Sequence, residues 1–290
     1  MELWFILAIV SLVFSGIHIF TQKIGAMRKY NSNLLNIFVF GGSTVIGLTI
    51  VTVFEGFGEL SWVMLAIGLI SGIVYMISSN FRTDSLRYTD TTISLPLHKF
   101  FSPLVVLLIG IVLFGEEMTS LEWLGIILGV LVPLILINRA ENRRQDNLRK
   151  GVILIIISAA LSAVGASLNK LGTDLFTSIF LFAAVSNMFS VIFGIVRHRT
   201  SKSNPGNIRL YLKDRKFLAL VFVGILAQII SFITFLFAIS QGGLLVVVYT
   251  ITSLYILIPI VLSIIFYGEH WNIKKVVAII LSILAVFLMG

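Results

Sequence analysis

A histidine and a lysine stand side by side inside an apolar segment, and they are the residues of this chain best suited to chemistry. His98 and Lys99 lie in the stretch from Thr91 to Phe114, and Ser102 follows one helical turn later. An ammonium group attracts carboxylates and phosphates, and an imidazole titrates near neutral pH. In a helix, Lys99 would lie about 12 Å along the axis from Thr91. The pattern predicts an anion-binding cation deep in a helix, with a titratable group beside it.

Each of these two residues also has a purely structural interpretation. The Lys99 stem can extend toward the lipid headgroups and leave its charge at the membrane surface. His98 can be a packed, neutral side chain. The two prolines that bracket the lysine, Pro96 and Pro103, each free a carbonyl and bend a helix, which favours the wall of a cavity over a lipid-facing surface.

Other polar side chains recur at helical spacing in the neighbouring apolar segments. Four stripes are Ser11, Ser15, His18 and Gln22; Tyr75, Ser78, Ser79 and Arg82; Ser158, Ser162, Gly165 and Asn169; and Gln228, Ser231 and Thr234. A single serine in a membrane helix usually bonds its own backbone or a neighbouring helix. As a set, the stripes predict one shared polar space. The predicted substrate-binding residues are Lys99, His98, Ser102, Tyr75, Ser78, Ser15, His18, Ser162, Gln228, Ser231, Tyr249 and Thr252, although the position of His18 near a segment end also suits an interfacial residue.

These residues must be positioned by membrane-spanning helices. The 290 residues are 58% hydrophobic and 12% charged, too few charges to cover a water-soluble surface. Apolar runs of roughly 20 residues match the bilayer core, where the backbone must satisfy its own hydrogen bonds. We predict an all-α integral membrane protein with ten transmembrane helices. The predicted spans are 3–21, 33–54, 62–81, 91–114, 119–138, 151–169, 175–196, 217–238, 244–267 and 272–289, the first beginning directly at the apolar amino terminus.

The chain repeats itself after five spans. The stretch 11–25 aligns with 158–172, with serine, serine, lysine and glycine at matching positions. The stretch 114–129 aligns with 267–282, where Gly115 and Glu116 match Gly268 and Glu269. A unit with an odd number of spans must be upside down in its second copy, so the sequence predicts two inverted five-helix repeats.

These features resemble the drug/metabolite transporter superfamily, and most closely its EamA-type ten-helix carriers. The resemblance rests on the two halves, the lysine that closes spans one and six, and the Pro103…Gly115-Glu116 stretch. It implies repeats at 1–138 and 151–290 joined by a basic linker at 139–150. It also implies that spans 1, 3, 4, 6, 8 and 9 line a central cavity. The second half departs from the pattern, since its proline is at Pro259 and not at Ile256.

The resemblance also bears on the substrate. Small multidrug carriers of the superfamily exchange protons through a glutamate in the first span, but the first span here has serine, histidine and glutamine. Lys99 and Pro103 match the lysine and proline of the fourth span of plastid phosphate translocators, where the lysine contacts the phosphate. Those carriers have a basic pair in the ninth span, where this chain has Thr252 and Ser253. We therefore expect a mono-anion or a zwitterion more than a doubly charged ligand.

Small residues in spans five and ten predict close helix packing. Gly125 and Gly129 form a GxxxG pattern, matched in the second half by Ala278 and Ser282. The related small multidrug carriers dimerise through this helix. In this chain the two halves can make the same contact within one molecule, so the sequence is compatible with a monomer or a homodimer.

Basic residues are distributed very unevenly among the predicted linkers. Of the 21 lysines and arginines, 19 fall in linkers that join odd to even spans, and the others are Lys170 and Lys99. By the positive-inside rule these linkers face the cytoplasm and both termini lie outside. The resemblance implies cytoplasmic termini instead. We predict a multi-pass protein of the plasma membrane, typical of the bacterial cytoplasmic membrane, with membrane lipid around it.

The remaining function classes are weakened by what the sequence lacks. There is no cysteine for a thiolate metal site, and no HExxH, GxSxG or Walker motif, so neither a cofactor, a metal, an enzyme nor ATP-driven transport is predicted. The net charge of +8 reflects cytoplasmic linkers more than nucleic-acid binding. The favoured function is a secondary transporter of a small metabolite, anionic or zwitterionic, that works by alternating access. The alternatives are a lipid-headgroup flippase and, less favoured, an intramembrane enzyme.

Overall fold

The protein consists of helices and short connections in the residues that its computed structural model describes, which are 2–85, 88–89, 91–137, 148–200, 208–267 and 272–290. The matches to Gly268 and Glu269 therefore lie outside the described residues. The helices are α1 (Leu3–Met27), α2 (Ser32–Ile50), α3 (Trp62–Ser85), α4 (Thr91–Phe114), α5 (Ser120–Ile135), α6 (Leu148–Leu175), α7 (Ile179–Thr200), α8 (Ile208–Lys213), α9 (Arg215–Ser240), α10 (Leu245–Ser253), α11 (Leu257–Tyr267) and α12 (Ile273–Met289).

Eight helical stretches in the described part of the chain are long and apolar enough to cross a membrane. They comprise α1, α2, α3, α4, α6, α7, α9 and the α10–α11 pair. The other two predicted spans correspond to α5 and α12, which are apolar but only 16 and 17 residues long. The protein is therefore a multi-pass membrane protein, while the count of ten spans stays a prediction.

Several helix boundaries differ from the sequence prediction, and two of the differences concern segments that were expected to be linkers. The third predicted span ends at residue 81, but α3 continues to Ser85, so Arg82 belongs to the helix and not to the following linker. The polar linker predicted after α7 contains the short helix α8, where Tyr211 packs against Tyr30 and Phe217. Composition alone misplaces such boundaries because a helix end can contain charged residues.

The two halves pack against each other reciprocally. Helix α1 of the first half lies along α9 of the second, and α6 of the second half lies along α3 of the first. Serines make the same bonds in both pairs. Ser11 donates to the Ser231 carbonyl at 2.9 Å, and Ser158 donates to the Ser78 carbonyl at 2.8 Å. The Ser15 hydroxyl lies 2.5 Å from that of Ser231, and the matching Ser162–Ser78 distance is 2.7 Å.

Equivalent helices of the two halves run antiparallel where they touch. Asn33 near the start of α2 donates to the Gly194 carbonyl near the end of α7, and Ser178 before α7 donates to Glu55 beyond α2. Helix α12 runs along α5 in the same manner, since Lys274 at its beginning donates to the carbonyl of residue 137 beyond the end of α5.

The GxxxG pattern of α5 packs within the chain. A side-chain carbon built on Gly125 would lie 2.6 Å from Met289 and 2.9 Å from the Ala285 carbonyl, so only glycine allows α12 to approach this closely. A carbon on Gly129 would meet Thr250 of α10 at 2.9 Å. The internal contact expected between the two halves is therefore present.

Candidate functional site

The polar stripes meet around a cavity of about 160 Å³ between the two halves. Its lining comes from α1, α3, α4, α6, α9 and α10, which correspond to the six spans expected to surround a shared space. Helix α7 contributes as well, through Ser186, Asn187 and Ser190, in addition to the six expected helices. Because α7 packs against both α2 and α3, this packing sets which of its faces is turned to the cavity.

Ten of the twelve predicted site residues line this cavity, and their assignment to substrate binding stays a prediction. The ten are Lys99, His98, Tyr75, Ser15, His18, Ser162, Gln228, Ser231, Tyr249 and Thr252. Ser78 is instead held between Ser158 and Ser162 in the contact of α3 with α6. Ser102 is buried outside the lining, and its hydroxyl has no hydrogen-bond partner among the described residues. Both serines lie on helices that line the cavity, but on faces turned toward neighbouring helices.

Lys99 is only 7% exposed, and its ammonium lies against two aromatic rings. The Nζ atom is 4.3 Å from the centre of the Tyr255 ring and 5.5 Å from that of Tyr249. A ring face attracts a cation by up to about 2 kcal/mol when the pair is desolvated. The side chain therefore stays within the protein, and the snorkelling interpretation does not describe it.

His98 joins the cavity to the contact between α3 and α6. Its Nε2 lies 3.2 Å from the Ser162 hydroxyl, which in turn contacts Ser78. Its Nδ1 is buried and has no partner among the described residues. The ring therefore contacts both the cavity and the serine cluster between α3 and α6.

His18 is a buried cavity residue, and its expected interfacial position was wrong. It is 5% exposed, and its Nε2 lies 3.1 Å from the Gln22 amide nitrogen. Gln22 donates to Asn36 at 3.1 Å, and Asn36 donates to Ser79 of α3 at 3.4 Å. A buried polar network thus leads from the cavity through α1 and α2 to α3.

Arg82 is a cavity residue, although the predicted end of the third span at residue 81 counted it among the basic residues of a linker. It lies in the last turn of α3 and lines the same space as Lys99. It is within electrostatic range of Lys99, His98 and His18. Its position in the sequence could have predicted this. Arg82 and Tyr75 are seven residues apart, so they share one face of the helix, and Tyr75 was already expected in the cavity.

A buried carboxylate positions the helix that contributes Tyr249 and Thr252. Glu116 accepts hydrogen bonds from the backbone N–H groups of Leu245 and Val246 at 2.7 and 3.0 Å, at the beginning of α10. A helix amino terminus favours a negative charge. Gly115, with φ of +64°, turns the chain after α4 in a conformation that favours glycine, which brings Glu116 to this position.

A second carboxylate positions α7 from outside the spans. Glu59, in the connection between α2 and α3, accepts bonds from the Thr177 hydroxyl and from the backbone N–H groups of Thr177 and Ser178. These bonds, first that of the Thr177 hydroxyl, hold the pKa of the Glu59 carboxyl below its ordinary value. Glu59 thereby ties the first half to the beginning of a cavity-lining helix of the second half.

The cavity lining consists of groups that can bind a small polar ligand. Among the described residues that line the cavity there is no aspartate or glutamate, and the described part of the chain contains no group of three or more His, Asp or Glu suited to a metal. The lining offers two cationic groups, two imidazoles, amides, hydroxyls and aromatic rings. Such a set can hold a small polar ligand by charge, hydrogen bonds and ring contacts.

Comparison with known proteins supports this description. A crystal structure with 14% identical sequence superimposes with a TM-score of 0.76, covering 97% of this chain and 97% of that one, and at this identity the likeness shows the fold alone. The search of curated proteins gives no significant match. The model of the EamA-like transporter family matches residues 2–138 and 149–290, nearly the whole chain in two copies. The recognised resemblance is thereby confirmed, and the protein belongs to the EamA-like transporter family.

Proposed function

We propose that this protein is a secondary carrier of a small anionic or zwitterionic metabolite in the plasma membrane, in bacteria the cytoplasmic membrane. It has ten membrane-spanning helices arranged as two inverted five-helix repeats. Its two halves alternate in exposing the cavity to the two sides. Membership of a family of small-molecule transporters supplies the general class of function, and the cavity supplies the argument for its substrate.

The observation that carries the proposal is the buried Lys99 ammonium. A charge this deep in a membrane helix costs several kcal/mol unless it meets an anion, dipoles or water. The rings of Tyr249 and Tyr255 offset part of this cost, about 2 kcal/mol for each desolvated contact. No described carboxylate lines the cavity. The substrate anion supplies the remaining stabilisation of the Lys99 ammonium, and it therefore binds beside this group.

Two features of the fold support the alternating movement. The helices that are equivalent in the two halves run antiparallel where they touch, as inverted repeats require. The cavity lies between the halves, where transporters with inverted repeats bind their substrates. Rocking one half against the other exposes such a cavity first to one side and then to the other.

Uptake into proteoliposomes tests the proposal. The purified protein would be reconstituted and offered labelled organic acids, amino acids, sugars, nucleosides and polyamines, after a thermal-shift screen of the same compounds. We expect an anionic or zwitterionic compound to raise the melting temperature and to be taken up. Lys99→Ala should abolish both effects in a monodisperse protein, Lys99→Arg should retain part of them, and Lys213→Ala, at an exposed lysine, should change neither.

Three results would contradict the proposal. Tight binding by the purified Lys99→Ala protein removes the ammonium from the site. Transport of polyamines but of no anion gives the cavity the opposite preference. Accelerated movement of labelled lipid headgroups across the bilayer, with no uptake of any water-soluble compound, identifies a flippase instead.

The proposal includes an orientation with both termini outside, based on the basic linkers. A reporter enzyme that works only in the cytoplasm, fused after Gly290, tests it. We expect no reporter activity from this fusion, and activity from a fusion placed in the linker 139–147. The opposite pattern would place the termini in the cytoplasm and leave the carrier function unaffected.

A further inference from the structure

The cavity contains a second cation, Arg82, which comes from a different helix than Lys99. Arg82 lies near the carboxyl end of α3, whereas Lys99 lies in the first half of α4. The ion pairs recorded among the described residues, Lys170 with Asp174 and Arg197 with Asp84, are outside the cavity lining. Two fixed positive charges thus face one small space whose described lining has no acidic side chain.

Two like charges in such a space raise each other's energy, because the surrounding protein and lipid screen them weakly. One bound mono-anion neutralises only half of the fixed charge. A bound zwitterion neutralises none of it and brings an ammonium into a space without a described carboxylate. A ligand with two negative charges neutralises both cations, so charge balance favours it over either alternative.

The position of the two cations indicates where the ligand carries its charges. Arg82 lies three residues before the end of α3, and Lys99 lies eight residues after the beginning of α4. Measured from the two helix ends that the short connection joins, the backbone positions differ in depth by roughly 8 Å at 1.5 Å per residue. The Lys99 ammonium is also held against the rings of Tyr249 and Tyr255. The arginine fork matches a carboxylate with two parallel bonds, whereas the ammonium acts as a compact charge.

We propose that the cavity binds an organic dianion whose two charges lie on separate groups, such as a short dicarboxylate, with one group on Lys99 and the other on Arg82. This inference rests on the proposed carrier function and narrows its substrate class. It replaces the expectation of a singly charged or zwitterionic ligand. That expectation rested on the absence of a basic pair from the ninth span, with Arg82 assigned to a linker.

The rest of the lining suits such a ligand. The cavity of about 160 Å³ is smaller than the roughly 300 Å³ at which sites for drug-sized ligands begin. A chain of three to five carbons with a charge at each end fits that scale. Ser15, Ser162 and Gln228 also line the space and add hydroxyl and amide groups to its polar surface.

The test compares each dianion with a mono-anion of the same size. Malonate, succinate and glutarate would each be paired with the corresponding mono-amide, and binding to the purified full-length protein would be measured by calorimetry and thermal shift. We expect at least one diacid to bind about tenfold or more tightly than its mono-amide, a difference of about 1.4 kcal/mol. In Arg82→Gln the diacid and the mono-amide should bind equally, and Arg82→Lys should restore part of the difference.

The outcomes separate this inference from the carrier proposal. If every mono-amide binds as tightly as its diacid and Arg82→Gln changes neither, the dianion inference is wrong, while loss of binding in Lys99→Ala still supports an anion carrier. If zwitterionic amino acids bind and all the diacids do not, the inference is also overturned. If Lys99→Ala binds the diacids as the unmodified protein does, the carrier proposal itself fails. Should Arg82→Gln not fold, Arg82→Lys with the same pairs of ligands decides the question.

Discussion

The two halves of the protein share a fold and a set of serine contacts, but their cavity-lining residues differ in charge. The lysine, arginine and histidine side chains of the lining, which are Lys99, Arg82, His98 and His18, all belong to the first half. At the equivalent positions, the second half has Thr252, Phe235, Ile251 and Gly165. The second half instead contributes most of the rings and amides, including Tyr249, Tyr255, Asn187 and Gln228.

This difference separates two requirements of the molecule. The serine bonds that join α1 to α9 and α6 to α3 are alike because both halves must pack in the same manner. The cavity lining is unlike, since its lysine and its arginine both come from the first half. The cation of the first half and the rings of the second then meet across the interface, where Lys99 lies against Tyr249 and Tyr255.

The largest expected effect comes from moving the cation between the halves. Lys99→Thr alone should weaken binding of the transported anion by about a hundredfold or more, as is common when one partner of a buried charge pair is removed. Adding Thr252→Lys to this variant should recover about tenfold of the loss, because Thr252 lines the same cavity. Calorimetry on both variants and on Thr252→Lys alone measures this. No recovery in a folded double variant would show that the place of the cation matters, and not only its presence.

A smaller effect is expected from the aromatic contribution of the second half. Tyr255→Leu removes the ring nearest the Lys99 ammonium and should weaken anion binding by about 5- to 30-fold, corresponding to about 1–2 kcal/mol. Tyr255→Phe is the matched control, since it keeps the ring face and should bind nearly as the unmodified protein does. Equal losses in the two variants would attribute the effect to the hydroxyl, and the ring would have no part in holding the cation.

The two histidines of the first half allow a comparison of pH dependence. His98 lies beside Lys99 and bonds Ser162, whereas His18 belongs to the network of Gln22 and Asn36. If transport depends on pH near neutrality, His98→Gln should flatten the profile, and His18→Gln should preserve its shape. Uptake measured between pH 5.5 and pH 8 in both variants tests this. An unchanged profile in His98→Gln would remove this residue from any proton coupling.

Matched serine substitutions test whether the equivalent serine contacts between the two halves contribute equally to stability. Ser78→Ala and Ser231→Ala each remove one hydroxyl from an equivalent contact between the halves. Each should lower the free energy of unfolding by about 0.5–1 kcal/mol, the usual size of such bonds between membrane helices. Unfolding in a denaturing detergent compares them directly. Losses that differ severalfold would show that the two contacts are not energetically equivalent.

Hydrophobic periodicity predicted most of the fold, and helical spacing predicted most of the cavity. Ser15, His18 and Ser162 could be placed because one stripe of a helix must face one direction. The sequence could not show that Ser78 and Ser102 lie outside the lining. A small rotation of a helix about its axis decides whether such a side chain faces the cavity or the neighbouring helix. Arg82 was assigned to a linker because a charged residue can indicate either the end of a spanning helix or a binding site inside it. Asn187 was not among the predicted site residues, because the direction in which α7 faces is set by long-range packing.

The smallest expected effect concerns the link that Glu59 makes to α7. Hydrogen bonds from Thr177 and Ser178 lower the pKa of this carboxyl below its ordinary value of 4.5. Its contribution to stability is therefore complete above about pH 4.5 and is lost as the pH falls through the lower pKa of the folded state. Glu59→Gln should lower the melting temperature slightly at pH 7 and leave it nearly unchanged at the acid end of the range in which the protein stays folded.

Because α7 also presents Asn187 to the cavity, the same variant should change the affinity for the anion by less than about twofold. A melting-temperature difference that persists unchanged from pH 7 down to pH 3 would show that the ionised carboxyl does not hold the two halves together at this end.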